Sequence, residues 1–392
     1  MSLLKRASRK VILTEEQRHM YASEKLTNFR WISKILATYS PYTLSSKDFA
    51  PAEVQEYLAD MGQFAEVAYS AIPTRFIFDN LTALLEPDFP LEGYYALRES
   101  ILVSAFIGAT AHLPGYVAYR PQTKQLVVAF SGTASAMQAF YDVRALKHRH
   151  PSRRGKVHSG FWKLYQGIKA FALDGIRKGL AEHEVTEFVL TGHSMGATVC
   201  QLLLLDILRD DELVPVGAIP LKLVVSGAPR TGTKPLTRYW RELLDKWRAE
   251  HGEASIVEHS VKTYNDGVPA LPPRSFGYRH FAQTPLYFVH GRLYHVPAAA
   301  REFALFHVTP DLESKQAPPA HPRGGHNYYN GRDMEKFARR IAWLDKAMKM
   351  EGDWKEQYRV KVAQYNKWPR MASSSFAFRP NSARTQETRA PT

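Results

Sequence analysis

From Glu187 to Cys200 the chain reads Glu-Phe-Val-Leu-Thr-Gly-His-Ser-Met-Gly-Ala-Thr-Val-Cys, and no other run constrains the fold as tightly. Phe188, Val189 and Leu190 are the apolar run of a buried strand, and Val199, Leu202, Leu203 and Leu204 begin an apolar helix. Gly192 and Gly196 flank Ser194 at positions −2 and +2. A serine on so sharp a strand-to-helix turn is held in a strained backbone conformation, where bulky neighbours collide. The turn lifts Oγ to the top of a sheet and sets the Met195 N–H at the start of a helix. There the amide and the positive helix end both stabilise a developing oxyanion. The G-x-S-x-G spacing arises by accident in many chains; the strand before it and the helix after it make it a nucleophile elbow.

A serine nucleophile needs a base to take its proton and a carboxylate to orient that base. On folds with this elbow the chain order is serine, acid, histidine. Asp266 comes just after the strand-like Val261-Lys-Thr-Tyr264, beyond Asn265, and before the turn-rich Gly267-Val-Pro-Ala-Leu-Pro-Pro273, although Asn265-Asp-Gly267 also reads as an ordinary turn. For the base, His321 and His326 share a Pro/Gly-rich loop ahead of the last helical pattern. His326, in Gly324-Gly-His-Asn-Tyr-Tyr329, is nearer the helix start and follows glycines that permit close approach. Local context favours it without excluding His321.

Strand and helix patterns alternate through the middle of the chain. Tyr116–Tyr119 and Gln125–Phe130 read as a hairpin, and Phe161, Leu164, Tyr165, Ile168, Phe171, Ala172 and Ile176 follow helical spacing. Leu221–Ser226 is a further strand, and Asp333 is placed to cap a helix through Phe337, Ile341 and Leu344. This alternation predicts an α/β fold with a mostly parallel central sheet flanked by helices. Three segments are expected: a helical N-terminal extension over 1–60, striped by Trp31, Ile32, Ile35 and Leu36; an α/β domain over 61–350; and a C-terminal extension over 351–392. Beyond Pro369 that extension is rich in Ser, Arg, Pro and Thr and reads as a disordered tail.

The 392 residues, 45% of them hydrophobic, suffice for one large domain. A lone cysteine, Cys200, excludes an intramolecular disulfide and suggests a reducing compartment. Val11–Leu13 is too short for a signal-peptide core, and no stretch reaches the length of a membrane span. These features predict a cytoplasmic protein, at most peripheral to membranes or lipid droplets, and not secreted. The net charge of +14 is concentrated in residues 1–10, 147–156 and 370–392, leaving the rest nearly neutral. Two ends and one loop do not make a nucleic-acid surface, but they do permit attraction to an anionic membrane through 147–156.

Six segments in order extend the elbow into a recognisable pattern. They are Gly115-Tyr-Val-Ala with Val127-Val-Ala-Phe-Ser-Gly-Thr133; Val157-His-Ser-Gly-Phe161; Ser226-Gly-Ala-Pro-Arg230; Asn265–Pro273; Gly277-Tyr-Arg-His280; and His326-Asn-Tyr-Tyr329. Over roughly residues 64–345 the chain resembles the fungal-type class 3 lipases, which have the α/β-hydrolase fold with a short lid. The resemblance implies Ser194, Asp266 and His326 as the catalytic triad, and the Met195 and Thr133 amides as the oxyanion hole. It also implies a lid from Ala134 to about Leu146, in which Met137, Phe140 and Tyr141 would meet substrate. The chain departs from the family at Ser131, where Arg is usual, and at Ala197, where Gly is common. It also lacks the Trp often found in the lid.

The implied activity is hydrolysis of carboxylic esters of acyl lipids, triacylglycerol or a related acylglycerol, through an acyl-enzyme on Ser194. Such chemistry needs no metal and no organic cofactor. The alternatives are a phospholipase A1 or an esterase for soluble or aromatic esters on the same fold, and, outside enzymes, a lipase-like binding module.

Overall fold

The computed structural model describes residues 29–132, 146–210, 212–214, 216–217, 219–309 and 324–367. Thr133, Met137, Phe140, Tyr141 and His321 therefore lie outside the described residues, as do residues 1–28 and the tail beyond Lys367.

In chain order the strands that matter here are β1 (Tyr39–Leu44), β2 (Ile101–Ile107), β3 (Pro114–Arg120), β4 (Gln125–Phe130), β5 (Lys147–Arg149), β6 (Lys156–His158) and β7 (Glu187–His193). They continue with β8 (Leu221–Ser226), β9 (Gly232–Thr233), β10 (Ile256–Thr263), β11 (Tyr278–Arg279), β12 (Leu286–Val289), β13 (Arg292–His295) and β14 (Leu305–Val308). Eight of them form one sheet in the order β13-β12-β10-β8-β7-β4-β3-β2. The five from β12 to β4 run parallel, and antiparallel strands finish both edges.

The sheet is buried on both faces, so its strands carry apolar residues at odd and even positions alike. Leu126, Val128 and Phe130 of β4, Phe188 and Leu190 of β7, and Leu223 and Val225 of β8 share one core. They pack there with α3 (Ser159–Glu182), α4 (Met195–Arg209) and α5 (Lys234–His251). The alternate residues Val127, Ala129, Val189 and Val224 face the second core. That core holds α2 (Ala52–Val67), α6 (Met334–Met348) and α7 (Trp354–Lys367). Asp333 caps α6 as expected, its carboxylate accepting from the Lys336 N–H at 3.0 Å. Among the described residues no helix is long and apolar enough to cross a membrane.

Three sequence expectations are corrected. The N-terminal extension is not helical throughout: α1 (Arg30–Leu36) ends at Leu36, and Tyr39–Leu44 pairs in parallel with β14. That pairing joins residues far apart in sequence, which periodicity does not register. The expected boundary at residue 60 falls inside α2, whose buried residues, including Leu58, Met61 and Phe64, continue one apolar face across it. The basic segment 147–156 is a hairpin, β5–β6, in a small sheet ordered β11-β9-β6-β5.

Candidate active site

β7 runs into α4 through Ser194, whose backbone takes φ 61° and ψ −123°. A β-carbon on Gly196 would stand 2.2 Å from the Phe130 carbonyl oxygen, and one on Gly192 2.7 Å from the carbonyl carbon of Gly196. Both contacts are with main chain, which cannot step aside, so the elbow closes only with glycine at these two places. The Ser194 N–H donates to the Ser226 carbonyl at 2.9 Å, tying the turn to the end of β8. Met195 is the first residue of α4, and its N–H is among the donors a helix start leaves unused. It therefore stands where a negative charge beside Ser194 would be stabilised.

Asp266 follows β10 after Asn265, whose φ of 63° turns the chain. The Asp266 carboxylate is fully buried, and its Oδ1 accepts from the Val268 N–H at 2.9 Å. The loop bearing His326 presses against the same turn. Gly325 donates to the Tyr264 carbonyl at 2.8 Å, and a β-carbon on Gly324 would stand 2.2 Å from that oxygen.

The sequence-predicted triad side chains are thus brought together. His326 Nε2 lies 2.7 Å from Ser194 Oγ, and His326 Nδ1 lies 3.0 Å from Asp266 Oδ2. Asp266 can only accept, so the Nδ1–H donates to it and Nε2 is left to accept from the serine hydroxyl. All three residues are buried. Each oxygen and nitrogen in this line has a partner of the right polarity for proton transfer from Ser194 to His326.

Five further residues complete the arrangement. The Tyr329 hydroxyl donates to Asp266 Oδ2 alongside His326. Burial and the Asp266 charge push the Tyr329 phenol up, keeping it a donor. His193 is driven well below the usual histidine range by burial and by His326 beside it, and so is neutral. Its Nε2–H donates to the His326 carbonyl at 2.8 Å, while Nδ1 accepts from the Tyr69 hydroxyl at 2.7 Å. Phe29 packs edge-on against the His326 ring, and Arg30 Nε donates to the Gly324 carbonyl at 2.8 Å. Sequence reasoning missed all of these roles. Tyr329 and His193 stood inside motifs already singled out, but nothing local marked Tyr69, Phe29 or Arg30. Among the described residues, no group of three or more His, Cys, Asp or Glu is gathered to hold a metal ion.

Residues 127–276 match the family model described as Lipase (class 3). A lipase of Rhizopus niveus is 27% identical over 181 residues, which are 46% of this chain and 43% of that protein. The secreted mono- and diacylglycerol lipase 1 of Fusarium solani is 25% identical over 49% of this chain and 52% of its own length. The secreted mono- and diacylglycerol lipase A of Penicillium camembertii is 26% identical over 61% of this chain and 72% of its own. The chain thus spans about half the length of the first of these relatives. Among solved structures, a triacylglycerol lipase with a serine-protease triad at its catalytic centre superposes with a TM-score of 0.54 at 19% identity, covering 74% of this chain and 98% of that one. Lipase II from Rhizopus niveus superposes with a TM-score of 0.53 at 17% identity, over 74% and 99%. Both share the α/β fold. The expectation of a cytoplasmic, non-secreted protein is overturned, because the Fusarium and Penicillium relatives are named as secreted lipases. A lone cysteine and a short apolar run near the N-terminus were too indirect to carry that inference.

Proposed function

From the match of residues 127–276 to the class 3 lipase family, we propose that the chain is a serine hydrolase of that family cleaving carboxylic esters of acylglycerols. The observation that carries the reading is His326 bridging Ser194 Oγ at 2.7 Å and Asp266 Oδ2 at 3.0 Å. In the proposed reaction His326 Nε2 takes the Ser194 proton as Oγ attacks the ester carbonyl. The Met195 N–H faces the oxyanion of the tetrahedral intermediate, with Thr133 as its expected second donor. Asp266, held by Tyr329 and the Val268 N–H, stabilises the imidazolium that forms. His326 then protonates the leaving alcohol. Water, deprotonated by the same ring, attacks the acyl-serine and releases the fatty acid.

The relatives named as mono- and diacylglycerol lipases support acylglycerols over soluble esters. In this reading Met137, Phe140 and Tyr141 contribute to substrate contact, and the basic hairpin lies at the side of the protein that meets lipid. Ser194→Ala should lower turnover of a p-nitrophenyl acyl ester about 10^5-fold and abolish labelling by a fluorophosphonate probe. Wild-type-like turnover in that variant would remove Ser194 from the mechanism. Comparing emulsified diacylglycerol with a soluble short-chain ester tests the substrate class: a higher rate on the soluble ester would favour a general esterase.

A further inference from the structure

The β5–β6 hairpin pairs Lys147 with His158, His148 with Val157, and Arg149 with Lys156. Side chains alternate across a strand, so the middle pair faces one way and the outer pairs the other. His148 stacks on Trp162 with centroids 5.4 Å apart, and Val157 is buried in the core. Lys147, Arg149 and Lys156 share the other side with His158; His158 is buried against Phe161, while all three cations are exposed. Arg149 directly opposite Lys156 is a like-charge pair, which weakens a hairpin. No carboxylate pairs with these three cations among the described residues. Arg154 differs: it is paired with Glu242 at 2.5 Å and lies over the Tyr239 ring at 5.0 Å, so it is committed to the protein.

Large apolar side chains stand beside these charges. Lys147 Nζ lies 5.5 Å above the Tyr278 ring, and the Tyr278 hydroxyl donates to the Leu146 carbonyl at 3.1 Å. The neighbours on either side of this contact are Leu146, 61% exposed, and Phe276, 52% exposed. Arg274, also exposed, begins the turn that carries Phe276. One face therefore interleaves four cations with an aliphatic and an aromatic side chain.

We propose that this face, built by Leu146, Lys147, Arg149, Lys156, Arg274 and Phe276, docks the protein on an anionic lipid bilayer. The proposal rests on the reading of acyl lipids as substrate. Charge complementarity selects an anionic partner, and the two exposed apolar groups select one with a hydrocarbon boundary to receive them. A nucleic acid would match the charges but leave Leu146 and Phe276 in water.

The test uses the full chain carrying Ser194→Ala, so that vesicles are not hydrolysed during the measurement. Sedimentation with phosphatidylcholine vesicles is compared with vesicles also containing phosphatidylglycerol. Binding should require phosphatidylglycerol and weaken with salt. It should fall about 100-fold in Lys147→Gln/Arg149→Gln/Lys156→Gln, since each cation near such a surface contributes about a fivefold factor. Phe276→Ser should weaken it separately. Equal binding to both vesicle types, undiminished binding by the triple variant, or binding to duplex DNA in preference to vesicles would overturn the proposal. With Ser194 intact, the triple variant should turn over a soluble p-nitrophenyl ester at the wild-type rate. That second measurement reports on the serine hydrolase reading alone, so failure of docking and failure of catalysis are told apart.

Discussion

Phe29 stands edge-on to His326, with ring centroids 5.3 Å apart and planes at 86°. The contact joins the first described residue to the proposed catalytic base, and the hydrogen bond from Arg30 to Gly324 beside it spans 294 residues of sequence. The N-terminal segment is therefore part of the wall that holds the histidine loop in place.

Arg30→Ala should loosen that loop. Leaving the buried Gly324 carbonyl without its donor costs about 1–3 kcal/mol. The expected result is a lower melting temperature and slower fluorophosphonate labelling of Ser194. Arg30→Lys should restore little, because an ammonium does not reproduce the planar Nε–H. Unchanged labelling in the alanine variant would show that the segment packs on the loop without positioning it.

Tyr329→Phe removes one donor from Asp266 Oδ2 while leaving the ring that packs beside His193. The loss of a hydrogen bond to a buried carboxylate is worth about 1.5–3 kcal/mol. Turnover of a soluble ester should drop about 10- to 100-fold, with KM little changed because the hydroxyl does not approach substrate. A fall in KM-dependent binding alone would contradict the role described.

Gly324→Ala is a sharper substitution than its single methyl suggests. The new β-carbon would stand 2.2 Å from the Tyr264 carbonyl oxygen, so the loop must retreat from the turn that carries Asp266. Activity should be lost while the central sheet survives: far-UV circular dichroism near wild type, with little labelling of Ser194. Full labelling would mean that the loop tolerates the shift.

Lys262, in β10 shortly before Asp266, is buried, with Nζ donating to the Phe303 carbonyl at 2.8 Å and to that of Arg301. Burial pulls its ammonium down from 10.5 to about 7; Arg230 and Arg301 add to this, and Glu302 opposes it. Between those two pH values the unfolded chain holds a proton that the folded chain lacks. Stability should therefore rise with pH from about 7 toward 10, by at most about 1.4 kcal/mol per unit from this group. Melting temperatures across that range should climb in the wild type and stay flatter in Lys262→Met. Parallel curves would exclude Lys262 as the source.

The features legible in the sequence were those written in short range. The elbow was readable because Gly192, Ser194 and Gly196 must lie within one turn, and the strand faces because Val127 and Val128 go to opposite cores. Asp266 and His326 were less secure. Asn265-Asp-Gly267 also reads as an ordinary turn, and local context favoured His326 over its neighbour His321 without excluding it. What escaped were contacts between distant segments. Tyr39–Leu44 carries Pro41 and polar positions that no strand pattern favours, yet it pairs with Leu305–Val308 once the fold brings them together. Tyr69 likewise gains its meaning only when His193 arrives 2.7 Å away.

The packing of Phe29 on His326, and of His326 against Ser194, also orders events during synthesis of the chain. The elbow and Asp266 leave the ribosome well before the histidine, which lies 132 residues beyond the serine. Every nascent chain thus carries a strained but baseless serine until residue 326 has emerged and the waiting N-terminal segment can receive it.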